Sequence, residues 1–367
     1  MIIDRIKLKN FRNYQDCEIF LSAKVNVFVG DNAQGKTNLL ESVSFISTTR
    51  SFRTSTDQDM IKNGEEFTKV VVSINDNESK LLLSGLVFKE GKQLLIQRQS
   101  VKKASEFIGL LNAVVFAPDD LALFDGAPRL RRRLCDLEIG KTNREYMRKL
   151  NQYQKTLKER NAFLKSGGND DHYLDVLTDK LIDLQVFIID ERQKYITDLN
   201  EFVSEFYQLI SKSEQSIKIQ YFSPVDDNVQ ARKLLFDKYQ KNKERDKLLK
   251  QTQIGIHKDD LLFYLDEYTV QSYASQGQKR MIILSLKMAL IKYIYGKTKT
   301  YPVLLLDDVL SELDSTRKKS LFELIPSEVQ TILTTTDIND VKDYLPAYTK
   351  IFSISDGNIV KIQEMKI

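Results

Sequence analysis

Apolar and polar positions change rhythm twice along this chain. The opening thirty residues read as strands: Val25, Val27 and Val29 alternate in KVNVFVG, and Gly30 ends the run. Leu39, Leu40, Val43 and Ile46 then recur at helical spacing over 36–48. Strand patterns return over 67–98 in FTKVVVSI, SKLLLSGLVF and KQLLIQR, with turn residues at Asn75-Asp76-Asn77 and Glu90-Gly91, and a further strand is predicted over 114–116. From about 119 to 250 the pattern is helical, in lysine-rich segments at 141–165, 172–211 and 227–250, with loops at 166–171 and 223–227. After 255 strands and helices alternate again: strand 261–265, helix 277–294, strand 303–306, helix 314–323, strand 328–333, and a last strand pair joined by Asp356-Gly357-Asn358. The predicted fold is α/β, a head made of 1–118 together with 255–367 and split by an inserted, mainly helical second lobe at 119–254. No internal repeat is present.

A length of 367 residues suits two domains. With 42% hydrophobic and 29% charged residues the chain reads as soluble and globular. It has no run of eighteen apolar residues, so no membrane span is expected. Asp4, Arg5 and Lys7 leave no room for a secretory apolar segment, and a cytoplasmic location is expected. Cys17, Cys135, His172 and His257 are too few for a zinc site or a disulfide framework. The net charge of +4 permits nucleic-acid binding without predicting it. Arg129, Arg131, Arg132 and Arg133 form the densest basic cluster, followed by Arg148, Lys149, Lys155, Lys158 and Arg160. These residues suit either a solvated helix face or contacts to a DNA backbone. No aromatic residues interleave them, which argues against base-specific recognition.

GDNAQGKT at 30–37 fits G-x-x-x-x-G-K-[ST] between a predicted strand and a predicted helix. In that context loop N–H groups and the helix N-terminus surround phosphates, and Gly30 and Gly35 allow close backbone approach. Lys36 is placed for the β- and γ-phosphates and Thr37 for Mg²⁺. A strand-end carboxylate is also needed. YPVLLLDD at 301–308 supplies Asp307, to hold Mg²⁺ through its water shell, and Asp308, to orient and polarise the attacking water. The long separation of the two motifs agrees with a large insertion between them. Ser275, Gln276, Gly277 and Gln278 precede a strongly apolar helix. They suit an ordinary N-cap, or a second phosphate-facing helix start.

The order P-loop, Ser-Gln-Gly-Gln, LLLDD and SELD (311–314) resembles the ATP-binding-cassette heads of the SMC and Rad50 type, and more closely the RecF family of bacterial recombination mediators. KNFRNY (Lys9 to Tyr14), AQGKTNLLE (33–41), SFRT (51–54), PDDLALFDGAPRLRRRLCD (118–136), GIHKDDL (255–261), ASQGQ (274–278) and TTTD (334–337) carry the resemblance. It departs at Ala33, where glycine is usual, at Leu134 and Cys135, and at Ile256 and Lys258. The resemblance implies ATP and Mg²⁺ as cofactors. Nucleotide contacts are implied at Arg12, Gly30, Asp31, Asn32, Ala33, Gln34, Gly35, Lys36 and Thr37, and at Ser275, Gln276, Gly277, Gln278, Ser311 and Asp314. The Ser275–Gln278 stretch of one subunit would face the nucleotide held by the other, giving an ATP-dependent homodimer.

Many cassette ATPases carry a glutamate at the position of Asp308 and a histidine after the next strand, where this chain has Thr336-Asp337. Both departures suggest slow turnover, with Asp337 as the second catalytic candidate. His257 is equally compatible with a place near the site and with a structural role. The resemblance further implies DNA as partner, with Arg131, Arg132 and Arg133 as candidate contacts. It also implies action with RecR, RecO and RecA at gapped or junction DNA, in repair and the SOS response. A transporter ATPase is the alternative; it predicts LSGGQ and a switch histidine, and both are absent. A DNA-binding module with a vestigial nucleotide site is disfavoured by intact Lys36, Thr37, Asp307 and Asp308.

Overall fold

The computed structural model describes the chain except residues 77, 78, 168, 169, 224, 226–229, 366 and 367. Parts of the expected turns at 75–77, 166–171 and 223–227 lie outside the described residues. The strands are β1 (Ile2–Phe11), β2 (Tyr14–Phe20), β3 (Val25–Val29), β4 (Phe67–Asp76), β5 (Ser79–Phe88), β6 (Gly91–Ile96), β7 (Gln99–Ser100), β8 (Ala113–Phe116), β9 (Ile217–Phe222), β10 (Asp260–Leu265), β11 (Tyr268–Thr269), β12 (Val303–Leu306), β13 (Thr331–Thr335), β14 (Lys350–Ser355) and β15 (Asn358–Glu364). The helices are α1 (Lys36–Thr48), α2 (Ala104–Phe107), α3 (Ala122–Asp125), α4 (Pro128–Thr142), α5 (Arg144–Lys165), α6 (Asp171–Ser211), α7 (Ala231–Leu249), α8 (Val270–Tyr273), α9 (Gln276–Thr298) and α10 (Ser315–Leu324).

The chain forms two compact units. The first comprises Met1–Leu121, Glu205–Glu214 and Gln276–Ile367. It holds two six-stranded sheets, one antiparallel in the order β2-β1-β4-β5-β6-β7, the other in the order β15-β14-β3-β13-β12-β8. In the second sheet all neighbours are parallel except the β14–β15 hairpin. Strands buried on both faces need continuous apolar runs, and β12 is VLLL, buried throughout. Helix α1 drives Leu39, Leu40, Val43, Phe45 and Ile46 into the core shared with strands of both sheets. The parallel register brings the C-terminal ends of β3, β12 and β13 to one edge, where open α/β sheets bind ligands.

The second unit comprises Ala122–Ser204 and Gln215–Ser275. Its helices surround buried polar networks. The Arg192 guanidinium, almost fully buried, donates to Asp136 Oδ1 at 2.8 Å, Asp259 Oδ2 at 3.1 Å and the Ile256 carbonyl at 3.3 Å. Arg160 donates to Asp246 Oδ2 at 2.8 Å and to Thr252 Oγ1 at 2.7 Å. On the surface, Lys243 and Lys247 of α7 pair with Asp171 and Asp175 of α6.

Two features differ from the sequence reading. The run IKIQYF forms strand β9, not helix: Ile217 and Ile219 alternate inward, and β10 pairs along its whole length. That pairing places 255–275 with the helical unit, so the observed boundary falls at 275/276 rather than 254/255, and 205–214 clusters with the sheet-bearing unit. The basic residues from Arg129 to Arg160 lie on two helices, α4 and α5, divided at Asn143, whose side chain caps α5 by accepting from Tyr146 N at 2.9 Å.

His257 lies in this second unit. Its Nδ1 is 2.7 Å from Tyr153 Oη and its Nε2 is 3.2 Å from the Thr252 carbonyl, so Nε2 carries the proton and Nδ1 accepts. Burial pushes the imidazole down to about 4. The unfolded ring titrates near 6.5, so the stability contributed by neutral His257 is full above that value and is lost as pH falls towards about 4. Asp259, raised by burial to about 6, acts oppositely, its contribution fading as pH rises through that value. His257→Gln isolates the histidine. The stability difference between wild type and variant should shrink on acidification from pH 7 to pH 5 by at most about 2 kcal/mol. Urea melts at the two pH values measure it, and parallel curves would show that the ring is protonated in the folded chain.

Candidate functional site: a phosphate cleft at the parallel-sheet edge

The loop between β3 and α1 is shaped by backbone contacts that forbid side chains. A Cβ on Gly30 would stand 2.3 Å from the Ile354 carbonyl oxygen of β14. A Cβ on Gly35, at φ +113°, would stand 2.7 Å from Asn13 Nδ2, and the Gly35 carbonyl accepts from Tyr14 Oη at 3.1 Å. Ala33 also takes a left-handed backbone, φ +64°, which accounts for the glycine more usual there.

Lys36 is buried beneath the loop, with Nζ donating to the carbonyls of Gly30 at 2.5 Å and Asp31 at 2.8 Å. Burial lowers the ammonium from its ordinary value, while Asp308, Asp307 and Asp31 pull it upward. Thr37 Oγ1 donates to Asp307 Oδ1 at 2.8 Å, and Thr334 Oγ1 donates to the same oxygen at 3.0 Å. The Thr334 hydroxyl also accepts from the Asp308 backbone N–H at 2.8 Å, at a residue held at φ +51°. Burial raises the Asp307 carboxyl above its ordinary value, against the pull of both hydroxyls and Arg53.

These groups border a cleft of about 300 Å³ lined by Asn32, Ala33, Gly35, Lys36, Thr37, Asn38, Arg53, Asp308 and Thr334. Asp307 sits under its floor through Thr37 and Thr334. Among the described residues no group of three or more His, Cys, Asp or Glu is placed to hold a metal. A hydroxyl and a carboxylate in contact match what phosphate-bound Mg²⁺ takes from a protein, since that ion keeps several waters.

Other expected residues stand apart from the cleft lining. Arg12 binds the buried Glu41 through Nε at 2.9 Å and Nη2 at 2.6 Å. Gln34 is held by its own carbonyls against neighbouring turns. Ser311 Oγ donates to the Asp308 carbonyl at 2.8 Å, and Asp314 caps α10 by accepting from Arg317 N at 2.9 Å. Asp337 is exposed and accepts from Asn339 N at 2.9 Å. Ser275, Gln276 and Gly277 are exposed, with open space around Gly277. Gln276, Gly277 and Gln278 share the cleft's unit without lining it. The sequence reading gave no role to Arg53, Asn38 or Thr334. The SFRT and TTTD blocks held two of them, but only the fold brings them to Lys36.

The basic cluster is corrected by burial. Arg131 is 5% exposed and holds Asp260 with two bonds, Nε at 2.7 Å and Nη2 at 2.8 Å, while Nη1 donates to the carbonyls of Leu123 and Gly126. It is not presented to a DNA backbone. Arg132 donates to the Asp259 carbonyl and is half-buried, and Arg160 is buried. Arg129, Arg133, Arg148, Lys155 and Lys158 are exposed.

The sequence pattern described as RecF/RecN/SMC N terminal domain matches residues 2–358. The fold and the site therefore define an ATPase head of the RecF and SMC class. The head of an Smc protein from Pyrococcus furiosus shares that fold at TM-score 0.59 and 17% identity, with 100% of this chain and 96% of that one covered. Within the class the chain belongs to the RecF family. It is 38% identical to the DNA replication and repair protein RecF of Lactobacillus johnsonii, over 98% of this chain and 99% of that protein. It is 39% identical to the RecF of Oenococcus oeni, over 98% and 100%. A solved structure of the recombination mediator protein RecF with ATP, from the RecFOR pathway, superposes at TM-score 0.90 with 30% identity, covering 99% of this chain and 97% of that one.

Arg131→Ala should destabilise the chain by about 3 kcal/mol, because it leaves Asp260 without its partner in a mostly buried pair. The midpoint of denaturant unfolding measures this, and an unchanged midpoint would return Arg131 to the surface.

Proposed function

We propose that this chain is an ATP-driven switch of recombinational DNA repair, pairing with a second copy of itself when ATP is bound and slowly hydrolysing it. The observation that carries the reading is the contact of Thr37 with Asp307, which joins the P-loop to the strand-end carboxylate within one cleft. ATP would lie along the loop N–H groups, with Lys36 and Arg53 facing its phosphate charge. Thr37 and Asp307 would hold Mg²⁺, whose chemistry there is to neutralise charge on the phosphates. Asp308 lines the cleft on a backbone fixed by Thr334, which suits it to orient and accept a proton from water. Asp337, committed to capping its own turn, is the weaker candidate.

The exposed Ser275–Gly277 stretch, with open space at Gly277, would face a nucleotide held by a partner copy. Arg129, Arg133, Arg148, Lys155 and Lys158 offer cations for contacts to a DNA backbone, which fix position without reading sequence. Relatives named for DNA replication and repair and for the RecFOR pathway support a role in DNA repair; on that reading the chain acts in the cytoplasm at gapped DNA and assists RecA loading with RecR and RecO.

Asp308→Asn should keep ATP binding but slow turnover by about 10²-fold, the scale of a general base, and prolong the dimer. Phosphate-release kinetics check it; unchanged turnover would pass the role to Asp337.

Sedimentation with ATP, with and without DNA, tests the switch as a whole. Ser275→Arg chains should bind ATP through their own Lys36 yet stay monomeric. Lys36→Ala chains should not bind ATP. Mixed together they form one doubly defective and one intact site, so part of the activity should return. Loss of ATP binding by monomeric Ser275→Arg would place the stretch in cis and remove the paired-site reading.

A further inference from the structure

A chain of hydrogen-bonded amides runs from the β14–β15 hairpin to Arg53, passing through both the side chain and the main-chain carbonyl of Gln34. It begins at the turn joining β14 and β15. There Asp356 N donates to Gln34 Oε1 at 2.6 Å, and Gly357 N donates to the Gln34 carbonyl at 3.0 Å. The same carbonyl accepts from Asn13 Nδ2 at 2.9 Å. Asn13 Oδ1 accepts from Asn38 Nδ2 at 2.8 Å, and Asn38 Oδ1 accepts from Arg53 Nη1 at 2.7 Å. The Asn13 carbonyl is held in turn by Lys62 Nζ at 2.8 Å. The turn cannot slide away freely, because Gly357 sits at φ +70° with the Asn13 carbonyl oxygen 2.7 Å from where a Cβ would be.

The direction of these bonds leaves one arrangement. Each Asn has its N–H₂ and its oxygen both engaged, so reversing either amide would set donor against donor or oxygen against oxygen. Arg53 is otherwise weakly held. Its side chain is 41% exposed, and Glu41 Oε2 stands 3.6 Å away, an oxygen already taken by Arg12. Asn38 is therefore the close side-chain acceptor that sets the direction of the Arg53 guanidinium. Arg53 and Asn38 line the phosphate cleft, whereas Asn13 and Gln34 do not.

We propose that Asn13, Gln34 and Asn38 are positioning residues: they form an amide relay that aims Arg53 across the phosphate cleft and couples its orientation to the P-loop and to the terminal hairpin. This rests on the phosphate-site reading above. The relay acts on turnover through Arg53, while affinity for ATP is set mainly by the loop and Lys36.

Asn13 gives the clean test, since it does not itself line the cleft and meets its lining through Asn38. In the full chain, Asn13→Ala should lower kcat for ATP about tenfold, equivalent to ~1.4 kcal/mol, with ATP affinity by calorimetry within about threefold of wild type. Added to Arg53→Ala, it should lower kcat no further, because the group it acts through is gone. Asn13→Asp keeps an oxygen for Asn38 but sets its other oxygen against the Gln34 carbonyl; it should recover only part of the lost kcat. Equal losses from Asn13→Ala in both backgrounds would overturn the relay. So would an effect confined to affinity and melting temperature, which would make the amides a loop clamp only. Failure of the underlying reading is told apart by Lys36→Ala: retained ATP binding there removes the phosphate site itself, and the relay with it.

Discussion

The hydrogen bond from Thr37 to Asp307 ties together two segments that the sequence holds far apart, and the rest of the head is arranged so that it can form. Thr37 stands on the first turn of α1, whose position follows from the apolar residues it buries. Asp307 stands at the end of β12, whose four residues are all buried. Between β3 and β12 lies β13, and the parallel register of the three strands sets how far Asp307 lies from the loop. Thr334, at the end of β13, donates to the same carboxylate oxygen and receives the Asp308 N–H. One hydroxyl thus ties the Asp307 carboxylate to the Asp308 backbone, one residue under the floor and the other lining the cleft.

Much of this was legible because the chemistry is local. Two glycines ahead of a lysine, between an apolar strand and an apolar helix, specify their own geometry, and a buried strand ending in two aspartates does the same. The helix over 36–48 and the closing hairpin at Asp356-Gly357-Asn358 were readable for that reason. Contacts made at long range were not. Arg131 and Arg160 look like members of a basic surface, and nothing near them in sequence shows that Asp260 and Asp246 will draw them inside. Strand β9 was lost among lysine-rich helices because its alternation lasts only six residues and its partner β10 comes some forty residues later. Arg53 stood in the SFRT block without a role, since its meaning comes from lining the same cleft as Lys36.

The second unit solves a different problem. It buries two arginines almost completely and satisfies each with carboxylates and hydroxyls. Such pairs add little net stability over apolar packing, but losing one partner is costly. The arrangement therefore penalises alternative packings of the helices more than it deepens the native one. His257, neutral and bonded on both nitrogens, belongs to this framework rather than to the phosphate chemistry.

The position of β3 has a consequence for how the protein is made. This strand, complete by Val29, is flanked by β13 and β14, which end at Thr335 and Ser355. At ordinary rates of ribosomal synthesis, about 5–20 residues per second, its two neighbours emerge roughly 15 to 65 s after it does. The antiparallel sheet and the helical unit can form on the nascent chain in that interval, since their partners are nearer in sequence. The phosphate loop cannot close until the turn at Asp356-Gly357 is translated. A chain that stops short of β14 therefore holds an apolar strand with an unpaired edge and no closed loop, so ATP can stabilise only chains that extend past it.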